Sequence, residues 1–151
     1  MNEPRREWVT RSAEETESVG AKELGVPPPR DSPCRVVALS GDLGAGKSTF
    51  ARGVLRALGT TGTIKSPTYT LLEVYELEAV RVVHLDLYRL TDPDEIDNLG
   101  LADYYRPGHL WLVEWPEKGG DRLPPADLGF VFRIEDQGHR ITRIEFVAAK
   151  K

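Results

Sequence analysis

The sequence has 151 residues, 40% hydrophobic and 29% charged, with a formal net charge of −4, values that fit one soluble globular domain and leave no room for a second catalytic domain. No apolar run is long enough to span a membrane, and the opening residues Met1-Asn2-Glu3-Pro4-Arg5-Arg6 lack the apolar core of a secretory signal, so a cytoplasmic location is expected. The single cysteine, Cys34, excludes an internal disulfide and a cysteine-cluster metal site, and the lack of a basic block apart from Lys150-Lys151 argues against direct contact with nucleic acid; any RNA is expected to be held by a partner.

In chain order, a short strand is expected over Glu7 to Thr10. A helix follows, opened by Ser12 with Glu15 three residues on in a capping-box pattern and closed by Gly25. The proline-rich stretch Pro27 to Pro33 reads as a surface connector. It leads into an apolar strand, Val36-Val37-Ala38-Leu39. Next come Gly41-Asp42-Leu43-Gly44-Ala45-Gly46-Lys47-Ser48 and a helix to Leu58 whose apolar residues Phe50, Ala51, Val54, Leu55 and Leu58 recur at helical spacing. A turn at Gly59 to Thr63 precedes Ile64-Lys65-Ser66-Pro67-Thr68-Tyr69. Strands are expected over Thr70 to Tyr75, Val80 to Leu87 and Leu110 to Val113, with a short acidic helix between the last two opened by Asp92 and Glu95. The C-terminal part reads as a hairpin, Leu128 to Ile134 and Ile141 to Val147, around Asp136-Gln137-Gly138-His139. The pattern predicts one α/β domain over residues 1–151, a central mixed, mostly parallel sheet flanked by helices, with a ligand at the carboxyl ends of its strands.

The eight residues from Gly41 to Ser48 match the phosphate-binding pattern G-x-x-x-x-G-K-[ST], in the strand–loop–helix context it requires. A nucleoside triphosphate brings several negative charges, and glycines let main-chain N–H groups approach its oxygens while the helix start adds a positive dipole end. The binding set is therefore Asp42, Leu43, Gly44, Ala45, Gly46, Lys47, Ser48 and Thr49. Lys47 is expected on the β- and γ-phosphates and the Ser48 hydroxyl on Mg²⁺. Two strands end in a carboxylate, Asp86 and Glu114, and either could serve the metal or its water. Thr68 lies in a proline-containing loop where a switch threonine would sense the γ-phosphate, although Ser66-Pro67-Thr68 is also an ordinary turn. His84, inside an apolar strand, reads as a hydrogen-bonded structural histidine, and Trp115 as a residue over the site or at an interface. Neither Asn2 nor Asn98 precedes a lysine, so the guanine-reading Asn-Lys-x-Asp is missing and ATP is the expected nucleotide.

Taken together, these residues resemble one family, the bacterial TsaE (YjeE) proteins. The similarity runs through Gly41 to Phe50, Ser66 to Thr70, His84 to Arg89, Asp92-Pro93, Leu99 to Leu101 with Asp103-Tyr104, and Val113 to Glu117, in order and over nearly the whole chain. Ser48 stands where most members carry threonine. The resemblance implies a compact ATPase of tRNA threonylcarbamoyladenosine modification, weak alone and acting on an assembly of TsaD and TsaB, with tRNA reached only through those partners. It also implies that Ser48 and Glu114 ligate Mg²⁺, that Asp86 assists the metal or the water, and that Thr68 belongs to a switch-like loop. Adenine would lie between the N-terminal segment near Ser12 and the hairpin at His139-Arg140. Two other readings share the loop: a small-molecule kinase, for which Asp121 to Pro125 would have to serve as a lid, and a nucleotide-sensing binding module.

Overall fold

The apolar runs of the sequence become the strands of one sheet. The computed structural model describes residues 6–65 and 70–146. Its elements are β1 (Arg6–Thr10), α1 (Ala13–Leu24), β2 (Arg35–Gly41), α2 (Lys47–Ala57), β3 (Leu72–Glu76), β4 (Arg81–Asp86), β5 (Leu110–Glu114), β6 (Leu128–Glu135) and β7 (Gly138–Glu145). Short 3₁₀ segments occupy Pro93–Leu99, Leu101–Tyr104, Pro116–Lys118 and Gly120–Arg122. The sheet runs β1-β7-β6-β2-β5-β4-β3. Its four central strands, β6, β2, β5 and β4, are parallel, and antiparallel pairs complete it on both sides. This is the mixed α/β sheet expected, with the parallel part at the centre.

Side-chain alternation along the buried strands divides the interior into two layers. Val37, Leu39, Val82, Leu110 and Leu112 face α1 and α2, whereas Val36, Val83, Leu85, Trp111 and Val113 meet Leu87, Ile96 and Leu101 on the side of the 3₁₀ segments. Helix α2 is anchored by Phe50, which has no exposed surface and lies 4.7 Å from the Phe130 ring and 5.3 Å from that of Phe132. Removing such a ring costs about 3–5 kcal/mol. Burial pushes the pKa of Cys34 up to about 11, so this thiol is an inert core group.

The local stop and start signals behave as their chemistry requires, with some shifts. Ser12 accepts the Glu15 N–H at 3.1 Å, but the Glu15 carboxylate accepts the Arg11 N–H at 2.7 Å, one residue before the cap. The capping box at Asp92 and Glu95 forms, yet Pro93–Leu99 winds as a 3₁₀ segment, because its Asp and Asn residues are weak helix formers and Gly100 stops it in the left-handed region. The hairpin turn is only Asp136-Gln137, since Glu135 already pairs with Gly138. Residue 147 and the segment 66–69, which carries Thr68, lie outside the described residues. Among the described residues no helix is long and apolar enough to cross a membrane.

Helices α1 and α2 touch through glycine. A Cβ at Gly20 would collide with the Phe50 carbonyl, and one at Gly53 with the backbone of Glu17. Both neighbours are main-chain atoms in regular helices and neither can step aside cheaply. Gly53→Ala is expected to destabilise the fold by about 1–3 kcal/mol, read as a lower urea midpoint with an unchanged slope.

Candidate functional site

Because β2, β4 and β5 are parallel, their carboxyl ends meet on one edge of the sheet. Strand β2 ends at Gly41, where φ is 143° and any Cβ would strike the Phe132 carbonyl; the backbone conformation and the space both call for glycine. The chain then turns through Asp42 to Gly46, with the Ala45 N–H on the Asp42 carbonyl at 3.1 Å and Gly44 and Gly46 at φ 80° and 111°. Helix α2 starts immediately after, so its unpaired first-turn N–H groups face the same edge.

Lys47, at the first position of α2, is only 5% exposed. Its ammonium donates to the Asp42 carbonyl at 2.9 Å and to the Gly41 carbonyl, and lies 4.2 Å from the centre of the Trp115 ring. Burial pulls its pKa below the ordinary lysine value, while Glu114 and then Asp86 draw it back up. Trp115 reaches this position with a left-handed backbone, φ 58°, uncommon for a bulky residue, and packs on Tyr88 with the ring centres 5.0 Å apart.

Beside the lysine sits Glu114, 2% exposed at the end of β5. Ser48 Oγ donates to its two oxygens at 3.0 and 3.2 Å, and His84 Nε2 lies 2.7 Å from Oε2. The β4–β5 register sets Asp86 directly opposite Glu114. The Asp86 carboxyl accepts the Tyr88 N–H at 3.1 Å on Oδ1. Burial and, after it, the Glu114 charge raise its pKa. A hydroxyl and two carboxylates make a hard-oxygen donor set that fits Mg²⁺, which takes one or two protein ligands and completes its shell from phosphate and water. No cluster of three or more His, Cys, Asp and Glu side chains suited to holding a metal unaided occurs among the described residues.

These groups line a cavity of about 550 Å³, a usual size for a small-molecule site. The lining includes Leu43, Gly44, Gly46, Lys47, Ser48, Thr49, Asp86, Glu114 and Trp115, together with Thr10, Ser12, Thr16, Gly138 and His139; Thr16 and His139 come close to Gly46. Of the remaining expected residues, Asp42 and Ala45 form the turn itself, the former through the carbonyl that holds Lys47. Arg140 does not line the cavity. Its guanidinium pairs with Glu7 at 3.0 Å and Glu135 at 2.7 Å, because adjacent strand residues point to opposite faces and His139 takes the inward position. Sequence reasoning did not single out Thr16, whose buried hydroxyl meets that of Thr10 at 2.7 Å, and it read His84 as hydrogen-bonded without identifying Glu114 as the partner. The spacing His84-Leu85-Asp86, two residues apart on one strand, was the available clue to that partner.

The fold and the site together define a class, a mixed α/β protein with a glycine-rich strand-to-helix turn, a buried lysine and a hydroxyl–carboxylate pair at the strand ends. The sequence profile described as "Threonylcarbamoyl adenosine biosynthesis protein TsaE" matches residues 10–143, and the chain belongs to this family. A relative from Haemophilus influenzae, named tRNA threonylcarbamoyladenosine biosynthesis protein TsaE, is 50% identical over 93 residues, covering 62% of this chain and 59% of that protein. A Bacillus subtilis protein of the same name is 36% identical over 136 residues, covering 89% and 82%. The crystal structure of Bacillus subtilis YdiB superposes with a TM-score of 0.74 at 30% identity, covering 93% of this chain and 84% of that one.

The raised pKa of Asp86 makes a prediction about the ligand-free protein. A carboxyl that prefers its neutral form when folded adds no penalty below the ordinary aspartate range and a full one above its own shifted value. Asp86→Asn should therefore raise the thermal midpoint at pH 7 without Mg²⁺. The difference should shrink as the pH is lowered through the carboxylate range.

Proposed function

We propose that the protein binds ATP with Mg²⁺ in this cavity and hydrolyses it as an accessory ATPase of tRNA threonylcarbamoyladenosine modification, acting in the cytoplasm on an assembly of TsaD and TsaB. The observation that carries the reading is the Ser48–Glu114 link beside the buried Lys47, at the glycine-rich start of α2. Membership of a family whose relatives are named for that modification supplies the biological setting.

Each group has a task in such a reaction. The N–H donors of the turn and of the first turn of α2 would bind the phosphate oxygens. Lys47 would exchange the carbonyls of Gly41 and Asp42 for the β- and γ-phosphates, a move that keeps its charge partnered throughout. Ser48 and Glu114, with Asp86 beside them, would hold Mg²⁺, which neutralises charge on the phosphates. Asp86 keeps Oδ1 on the Tyr88 N–H, and its raised pKa suits it to orient the attacking water and accept its proton. Trp115 covers the lysine and restricts water around it. The net reaction is ATP and water to ADP and phosphate. The net charge of −4 fits a protein that meets tRNA through its partners.

Lys47→Ala should weaken ATP binding at least tenfold, measured by titration calorimetry, because a charge-assisted contact to phosphate is worth about 1.5–3 kcal/mol. Unchanged affinity would remove the cavity as the nucleotide site. The second expected outcome concerns turnover: phosphate release with Mg²⁺ should be slow for the protein alone and strongly stimulated by the TsaD–TsaB pair from the same source. Absence of both stimulation and association, with phosphate passed instead to a metabolite, would identify a kinase.

A further inference from the structure

His84 holds an unusual place between the core and the cavity. It lies two residues before Asp86 on β4, so both side chains project from the same face of the sheet, and its register neighbour on β5 is the fully buried Leu112. His84 is 2% exposed. One nitrogen, Nε2, meets Glu114 Oε2 at 2.7 Å; the other, Nδ1, is buried and has no hydrogen-bond partner among the described residues. A carboxylate oxygen only accepts, which puts the shared proton on Nε2. Packing alone does not require a histidine here. In a layer formed with Val82 and Leu112, a leucine or phenylalanine would fill the space without burying an unpaired nitrogen.

We infer that His84 is a positioning residue for Glu114, fixing the plane of the carboxylate so that it meets Ser48 and an incoming divalent cation in one orientation. The terminal torsion of a glutamate is broad and nearly two-fold, and the Ser48 hydroxyl, shared between both oxygens at 3.0 and 3.2 Å, does not choose between rotations. The bond to Oε2 does choose. It comes from a ring rooted in the strand interior, and it assigns Oε2 to the protein and leaves Oε1 to Ser48 and the cation. A ligand held from behind in this way binds metal more tightly than one free to turn, and loss of such a partner typically costs about 10–100-fold in metal affinity. His84 touches neither nucleotide nor metal; it acts through Glu114.

This inference rests on the ATP and Mg²⁺ reading above, and its test separates the two. A non-hydrolysable ATP analogue is titrated into the full chain in Mg²⁺ and in EDTA, and the ratio of the two dissociation constants measures the gain supplied by the cation. His84→Phe and His84→Leu remove the donor and keep an apolar filling; His84→Asn is polar but too short to reach Glu114; His84→Gln places an amide N–H near the position of Nε2. Thermal melting establishes that each variant is folded. The expected result is affinity in EDTA within about twofold of wild type for all of them, a gain from Mg²⁺ reduced at least tenfold in the Phe, Leu and Asn variants, and recovery of most of that gain in the Gln variant. A gain equal to wild type in the donor-free variants that fold would overturn the inference. So would an equal loss in EDTA and Mg²⁺, which would mark His84 as a packing residue. A wild-type chain that binds no nucleotide, or binds it without help from Mg²⁺, would instead overturn the ATP reading itself.

Discussion

The architecture depends on the burial of one carboxylate. Taking an ionised side chain out of water costs several kcal/mol unless partners replace the lost hydration, and Glu114 is 2% exposed. Its partners come from separate elements: Ser48 from the start of α2, His84 from the middle of β4, with the Lys47 ammonium close by. None of these is adjacent to Glu114 in sequence. The helix must therefore sit where its first turn reaches the end of β5, and β4 must pair with β5 in the register that sets Asp86 opposite Glu114. A slip of one residue would send Glu114 to the other face of the sheet.

That placement is enforced from the apolar side. Phe50 stands three residues after Lys47 on α2, and its contacts with Phe130 and Phe132 fix the helix against β6. The glycines that let α1 and α2 interlock fix it from the outside. The polar end of α2 is thus held by packing elsewhere along the same helix, and the charged groups meet because the core leaves them no other arrangement. Trp115 shows the reverse dependence: its left-handed backbone is tolerated where the ring finds both Lys47 and Tyr88.

Much of this was legible in the sequence because much of it is local. The strand–turn–helix around Lys47 depends on glycines and a short spacing, which a linear pattern records. The buried strands announced themselves as continuous apolar runs, and Asp86 and Glu114 as the carboxylates that ended two of them. What a linear pattern does not record is register. The contact of His84 with Glu114 needs two strands aligned, and the inward choice of His139 over Arg140 depends on which face of the sheet each residue of β7 takes. The 3₁₀ winding after Asp92 escaped for another reason: the capping signal was real, but the residues that follow it do not sustain an α-helix.

Part of the cavity lining comes from segments far apart in the chain. It is made where β1 lies against β7, and Glu7 and Arg140, which join across that seam, are 133 residues apart. Contacts so distant carry the greatest loop-closure cost and are rewarded last. The glycine-rich turn and its flanking strand and helix are contiguous in the chain, so their loop-closure cost is small by comparison. On a ribosome, where the N-terminal strand emerges long before its partner is made, β1 must wait unpaired. Until β7 is made, the part of the lining supplied by Gly138 and His139 is missing.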